Sequence, residues 1–135
     1  MKTLLTLFVL LSSSSVVAGD DLTGKKIFCL KKSIDSYYLL GFNFITSNKV
    51  RMYRESENLS LSETETTYRT TVLHIGTFET VDKKISPFKI NRKNLSVSHQ
   101  TKMWTYKPGN CKLVQGIFVK IFADTKKDLK KENLI

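Results

Sequence analysis

Two histidines, two cysteines, one tryptophan and four arginines are all that these 135 residues hold of several side-chain types commonly used for metal binding, nucleophilic catalysis or planar phosphate recognition. A structural or catalytic zinc needs three or four nitrogen, sulfur or oxygen ligands brought together. His74 and His99 lie far apart, with no carboxylate close to either in sequence, and an acid/base histidine also needs partners. Both are therefore read as solvent or sheet-surface side chains. No glycine-rich phosphate loop is present, and no serine sits in a nucleophile elbow. Glu63 and Glu65 could share one strand face, but without a second constellation they read as solvated charges. The sequence thus points away from an enzyme and calls for no cofactor and no metal.

Long hydrophobic runs are equally scarce. One occurs, Leu4 to Leu11, preceded by Lys2 and followed by a serine tract and Val16-Val17-Ala18. A short basic end, an apolar core and small residues form the pattern of a secretory signal peptide, with cleavage expected after Ala18. The run is too short for a spanning helix, which needs about 20 residues. Gly19, not cysteine, follows the expected cleavage point, so no lipid anchor is indicated. The expected parts are a signal peptide over 1–18, a β-barrel-like domain over 19–113, and an amphipathic helix with a charged tail over 114–135. The product would be secreted or periplasmic and monomeric, with no transmembrane segment in the mature chain.

Cys29 and Cys111 remain in an exported chain, where an oxidising compartment makes pairing the default. Two free thiols, or a link to another chain, are the other readings. Glycosylation acceptor patterns occur at Asn58-Leu59-Ser60 and Asn94-Leu95-Ser96, and they matter only in a eukaryotic secretory route.

Acidic residues are missing over one long stretch: from Lys83 to Ala123 there are nine basic residues and none of opposite sign. A net charge of +10, of which Lys2 would leave with the signal, attracts anionic partners. Lysine supplies 18 of the 22 positive charges, whereas arginine is the better residue for planar phosphate, so no specific nucleic-acid site is indicated. Lys89, Arg92, Lys93, Lys102 and Lys107 are the candidate anion-binding surface; a generic solvated basic face is the plainer reading.

What is abundant is strand pattern. YYLLGFNFITSNKVRMYR, Tyr37 to Arg54, holds two strand-like arms joined at Ser47-Asn48-Lys49, with Leu40, Phe42 and Phe44 alternating against Gly41 and Asn43. Lys25–Leu30 predicts a first strand. Glu55–Glu65 reads as a polar, acidic loop, Thr66–Val72 as a threonine-rich strand, and Leu73–Thr80 as its continuation, with Gly76 marking a bulge or close backbone approach. Phe88 and Ile90 open another strand, Asn91–Asn94 a turn, and Lys102–Lys107 a last strand before the Pro108-Gly109-Asn110 turn. From Val114 the period changes: Val114, Ile117, Phe118, Ile121 and Phe122 mark one stripe of a helix.

About seven short strands with local connections argue for a small antiparallel meander, as a barrel or a sandwich, with one C-terminal helix. Leu40, Phe42, Phe44, Phe88, Trp104 and Tyr106 would form its inner face, as packed core or as the wall of a small apolar cavity. Trp104 and Tyr106 between Lys102 and Lys107 could instead form an exposed aromatic and basic strip.

LLGFNFITSNKVRMY resembles the hydrophobic-x-Phe, turn, Val-x-x-Tyr hairpin of small lipocalin-like meander barrels, and the later Y-x-T strand and I-N-R-x-x-L turn follow in comparable order. DLTGKKIFC together with INRKNL is similar to a group of short uncharacterised exported bacterial proteins. The resemblance implies a meander barrel over most of residues 20 to 113. It departs from the lipocalin pattern at Gly24, where Lys25 and Lys26 stand in place of the Gly-x-Trp signature. The functional expectation is an exported, non-enzymatic binding or envelope-associated module taking a small hydrophobic molecule or an anionic surface. The alternative is a protein–protein module, such as an inhibitor or accessory subunit of a secreted enzyme.

Overall fold

The Leu40, Phe42 and Phe44 alternation gives a strand one buried face, and the strands around it repeat the arrangement. The computed structural model describes residues 21–132; the expected signal peptide lies outside them. Eight strands follow in order: β1 (Lys26–Lys32), β2 (Tyr37–Phe44), β3 (Lys49–Ser56), β4 (Ser62–Thr70), β5 (His74–Thr77), β6 (Phe88–Asn91), β7 (Val97–His99) and β8 (Cys111–Leu113). A helix, α1 (Phe118–Glu132), closes the described chain. β1 to β6 each pair antiparallel with the next, and β8 returns to pair with β1. Tyr106 bridges Val97 on β7, and the Asn110 carbonyl accepts the Leu30 N–H at 3.0 Å. Residues 106–113 thus span the gap between the two edges, giving a nearly closed meander barrel with little open edge to aggregate.

The interior holds Ile27, Cys29, Leu40, Phe42, Phe44, Val50, Met52, Tyr68, Ile75, Phe88, Ile90, Val97 and Tyr106. An eight-stranded barrel is about wide enough for side chains to fill, and rings occupy much of this one. Phe42 meets Phe44 and Phe88 with centroids 6.4 and 5.6 Å apart, and Phe44 meets Tyr68 at 5.0 Å.

β2 is buried on both faces, because Leu39 and Gly41 lie under α1. A second apolar cluster, Phe28, Leu39, Tyr53, Phe118 and Phe122, joins the helix to the outside of β1–β3. The helix stripe therefore packs outside the barrel. Val114 and Ile117 precede the helix; Val114 contributes to that cluster while Ile117 is mostly exposed.

Four expectations change. The acidic stretch is largely strand: β3 runs to Ser56 and β4 starts at Ser62, leaving only residues 57–61 between them. Its glutamates fit because they alternate with Ser62, Thr64 and Thr66, so Glu63 and Glu65 face solvent opposite Tyr53 and Arg51. Gly76 is neither bulged nor crowded, since it pairs in register with Arg69 and Lys89 and a Cβ there would meet nothing within 4 Å. Lys102–Lys107 is not a strand: Lys102–Trp104 forms a 3₁₀ turn that swings Trp104 against Tyr38, and only Tyr106 bridges. The eighth strand, β8, begins at Cys111 itself.

Cys29 stands directly opposite Cys111 in the β1–β8 register, and the two are disulfide-bonded. The bridge therefore fastens the short closing strand to the first one.

Candidate functional site

Two places bring chemistry-bearing side chains together: a groove outside the barrel and one end of its interior. The groove runs between α1 and the β1–β8 seam and encloses about 930 Å³. Strand alternation puts Phe28, Leu30 and Lys32 of β1 on the outer face, and the helix adds Thr125, Asp128, Leu129 and Glu132 one and two turns apart. Phe28, Leu30 and Leu129 make an apolar floor; Lys31, Lys32, Lys102, Lys107 and Lys112 rim it. Of these lysines, among the described residues only Lys32 is ion-paired, to Glu132 at 2.8 Å. Lys31 donates to the Lys102 carbonyl at 2.9 Å, which holds the 3₁₀ turn against β1.

The candidate anion-binding surface is thereby split. Lys102 and Lys107 join the groove, whereas Lys89 lies on β6 and Arg92 and Lys93 on its turn to β7, outside the groove lining. Arg92 Nη1 donates to the Thr71 carbonyl at 2.8 Å and so ties two neighbouring turns together. Lys31, Lys32 and Lys112 were not singled out from sequence, because only the β1–β8 pairing brings residues eighty apart onto one rim.

The expected inner face, Leu40, Phe42, Phe44, Phe88, Trp104 and Tyr106, is brought together in a single buried cluster. Trp104 is 8 % exposed, so the exposed aromatic and basic strip does not form. Arg54 was not expected there. It sits opposite Leu40 and Ser62 in register and points inward with them. Its guanidinium lies 5.2 Å over the Trp104 ring, a cation–π contact. His99 stacks on Phe88 at 4.2 Å. Burial holds the His99 imidazole below its usual pKa, and the nearby Arg54 charge acts in the same direction. Burial also raises the Tyr106 phenol, against the pull of Arg54. The signal that could have found Arg54 is its period-two step from Val50 and Met52 on the inward face.

On the outer face, Glu55 is buried beneath α1 and pairs with Lys126 at 2.7 Å. Hydrogen bonding to Glu55 raises the Lys126 pKa, while burial, with Glu55 second, raises that of Tyr37.

Among the described residues, no group of three His, Cys, Asp or Glu side chains is placed to hold a metal ion. None of their helices is long and apolar enough to cross a membrane. The chain is thus an antiparallel, nearly closed eight-stranded β-barrel with one C-terminal helix, braced by a disulfide at its seam. No family model, no curated protein and no solved structure matches it.

Proposed function

We propose that the protein is an exported, non-enzymatic binding module whose partner is an anionic envelope surface, received on the lysine-rimmed groove between α1 and the β1–β8 seam. The observation that carries this reading is the groove itself: five lysines around Phe28, Leu30 and Leu129, with two carboxylates among its lining residues. Lysine stems lie along apolar surface while their ammonium groups reach outward, an arrangement suited to charged head groups above an apolar layer. The leader-like first residues and the disulfide support export, since disulfides persist in oxidising compartments. The lipocalin-like resemblance enters only through the meander. An interior filled by rings favours the outer groove over a large internal cavity for the partner.

The test is co-sedimentation with vesicles of anionic against zwitterionic lipid at an ionic strength of about 0.15 M, where generic surface attraction is screened within about 8 Å. Retention on anionic vesicles only is expected. Each basic residue near such a surface contributes about 1 kcal/mol, so Lys107→Glu with Lys112→Glu should weaken retention by about 2 kcal/mol or more. Equal retention by this double variant and by Lys89→Glu with Lys93→Glu would remove the groove from the reading.

A further inference from the structure

The end of the barrel where β3 meets β4 contains a set of donors without partners among the described residues. Arg54 Nε, Ser62 Oγ, His99 Nε2 and Tyr106 Oη are each buried with no hydrogen-bond partner there. They come from β3, β4, β7 and the bridging residue that closes the barrel. Arg54 and Ser62 are cross-strand neighbours, and Arg54 faces both Tyr106 and His99 closely enough for its charge to act on them. Buried polar groups are ordinarily paired, and a buried positive charge ordinarily has a counter-charge. Among the described residues Arg54 forms no ion pair: the inward positions of β3 and β4 carry no carboxylate, and Glu55, one residue on, points outward to Lys126.

Tautomer chemistry lets every member of the cluster donate. His99 Nδ1 accepts the Thr101 N–H at 3.0 Å, so in the neutral ring Nε2 carries the proton and is a donor. The Ser86 backbone also interacts with the ring and raises its pKa, so His99 completes the donor set only in part. Arg54 Nε–H is donor only, and the Tyr106 and Ser62 hydroxyls can each turn a proton toward a common acceptor. Tyr106 is 1 % exposed and cannot turn to solvent, whereas Arg54 as a whole is only partly buried.

We propose that this end of the barrel is a binding site for a small carboxylate, held by Arg54 and Tyr106 with Ser62, and in part His99, completing the donor set. An arginine with buried neutral donors near it suits a carboxylate, because charge-assisted bonds are the strong ones. The site is separate from the lysine-rimmed groove and stands whether or not that groove binds a surface.

The chain carries its own reporter, for its one tryptophan, Trp104, lies directly under Arg54. The experiment titrates the purified oxidised protein with sodium acetate and sodium benzoate at constant ionic strength, with chloride as comparator, and follows Trp104 fluorescence and thermal midpoint. A saturable fluorescence change and a rise in midpoint with carboxylate are expected. Arg54→Met should abolish both, and Tyr106→Phe, which keeps the ring, should weaken binding about tenfold or more. Lys107→Glu with Lys112→Glu should leave the response unchanged, which separates this site from the groove. If Arg54→Met fails to fold, Tyr106→Phe and Ser62→Ala carry the test. No saturable response to either carboxylate, an equal response to chloride, or an undiminished response in the folded variants would overturn the proposal and leave only ordered water at these donors.

Discussion

Gly41 shows how one residue decides where an element docks. A Cβ built there would stand 2.7 Å from the Phe118 ring, which is itself buried. Gly41→Ala should therefore destabilise by about 1–3 kcal/mol, the usual cost of overpacking, read from the urea midpoint, whereas Gly76→Ala, with open space above it, should stay within about 1 kcal/mol of the parent. Tyr106 makes the opposite case. Its hydroxyl is buried without a partner among the described residues, so in carboxylate-free buffer Tyr106→Phe should be neutral or stabilising by about 1 kcal/mol. His99 gives a sign for pH. Its folded pKa lies below the ordinary 6.5, so the unfolded chain binds the extra proton and stability falls as pH drops below about 6.5. Urea unfolding between pH 7 and 5 should show that loss, and His99→Gln should show less of it. Gly41 was visible in sequence only as the non-apolar step in an alternation; that the step is a notch for Phe118 required the helix to be in place.

At the scale of elements, α1 is held by an apolar stripe, the exposed Lys32–Glu132 ion pair and one partly buried ion pair. Phe118 and Phe122 supply the stripe, with Phe28 and Tyr53 ring contacts at 5.6 and 4.9 Å. Glu55 and Lys126 supply the latter pair, and because Glu55 is nearly fully covered while Lys126 is 37 % exposed, the pair lies between the surface and buried limits. Lys126→Met should cost about 1–2 kcal/mol by leaving Glu55 buried alone. The folded pKa of Lys126 is raised, so its contribution is complete at neutral pH and is lost as pH climbs past the ordinary 10.5. Helix content followed by circular dichroism on alkaline titration should fall less steeply in the variant. The helix stripe and the β2–β3 hairpin were legible, because apolar spacing at periods of 3.6 and 2 is a property of the chain alone. β4 was only partly legible, since Glu63 and Glu65 are poor strand formers and earn their place from the β3 register with Arg51, which no local window contains.

For the whole molecule, the deciding feature is the seam. β8 has three residues and closes a sheet of eight, so few hydrogen bonds hold it and the Cys29–Cys111 bridge takes a large part of the work. Reduction should cost about 2–5 kcal/mol, measured as a drop in the urea midpoint with reductant present. In Cys29→Ala with Cys111→Ala, hydrogen exchange should rise first along β8 and the β1 edge, before the β2–β3 hairpin. The same seam sets the groove: without the β1–β8 pairing, Lys112 would not stand on one rim with Lys32.

The sequence by itself determined the β meander, the inward aromatic face, the cysteine pair available for bridging, the helical stripe and the excess of lysine over acid. These follow from local periodicity and composition, which the chain carries wherever it is placed. Tertiary structure alone decided that Arg54 meets His99 and Tyr106 inside the barrel, that Trp104 lies under it rather than on a strip, and that lysines from both ends of the chain share one groove. The shared lysine rim depends on the β1–β8 register between strands far apart in sequence, where a shift of one residue would turn Lys112 to the other face, and Trp104 depends on a 3₁₀ turn that interrupts the strand pattern.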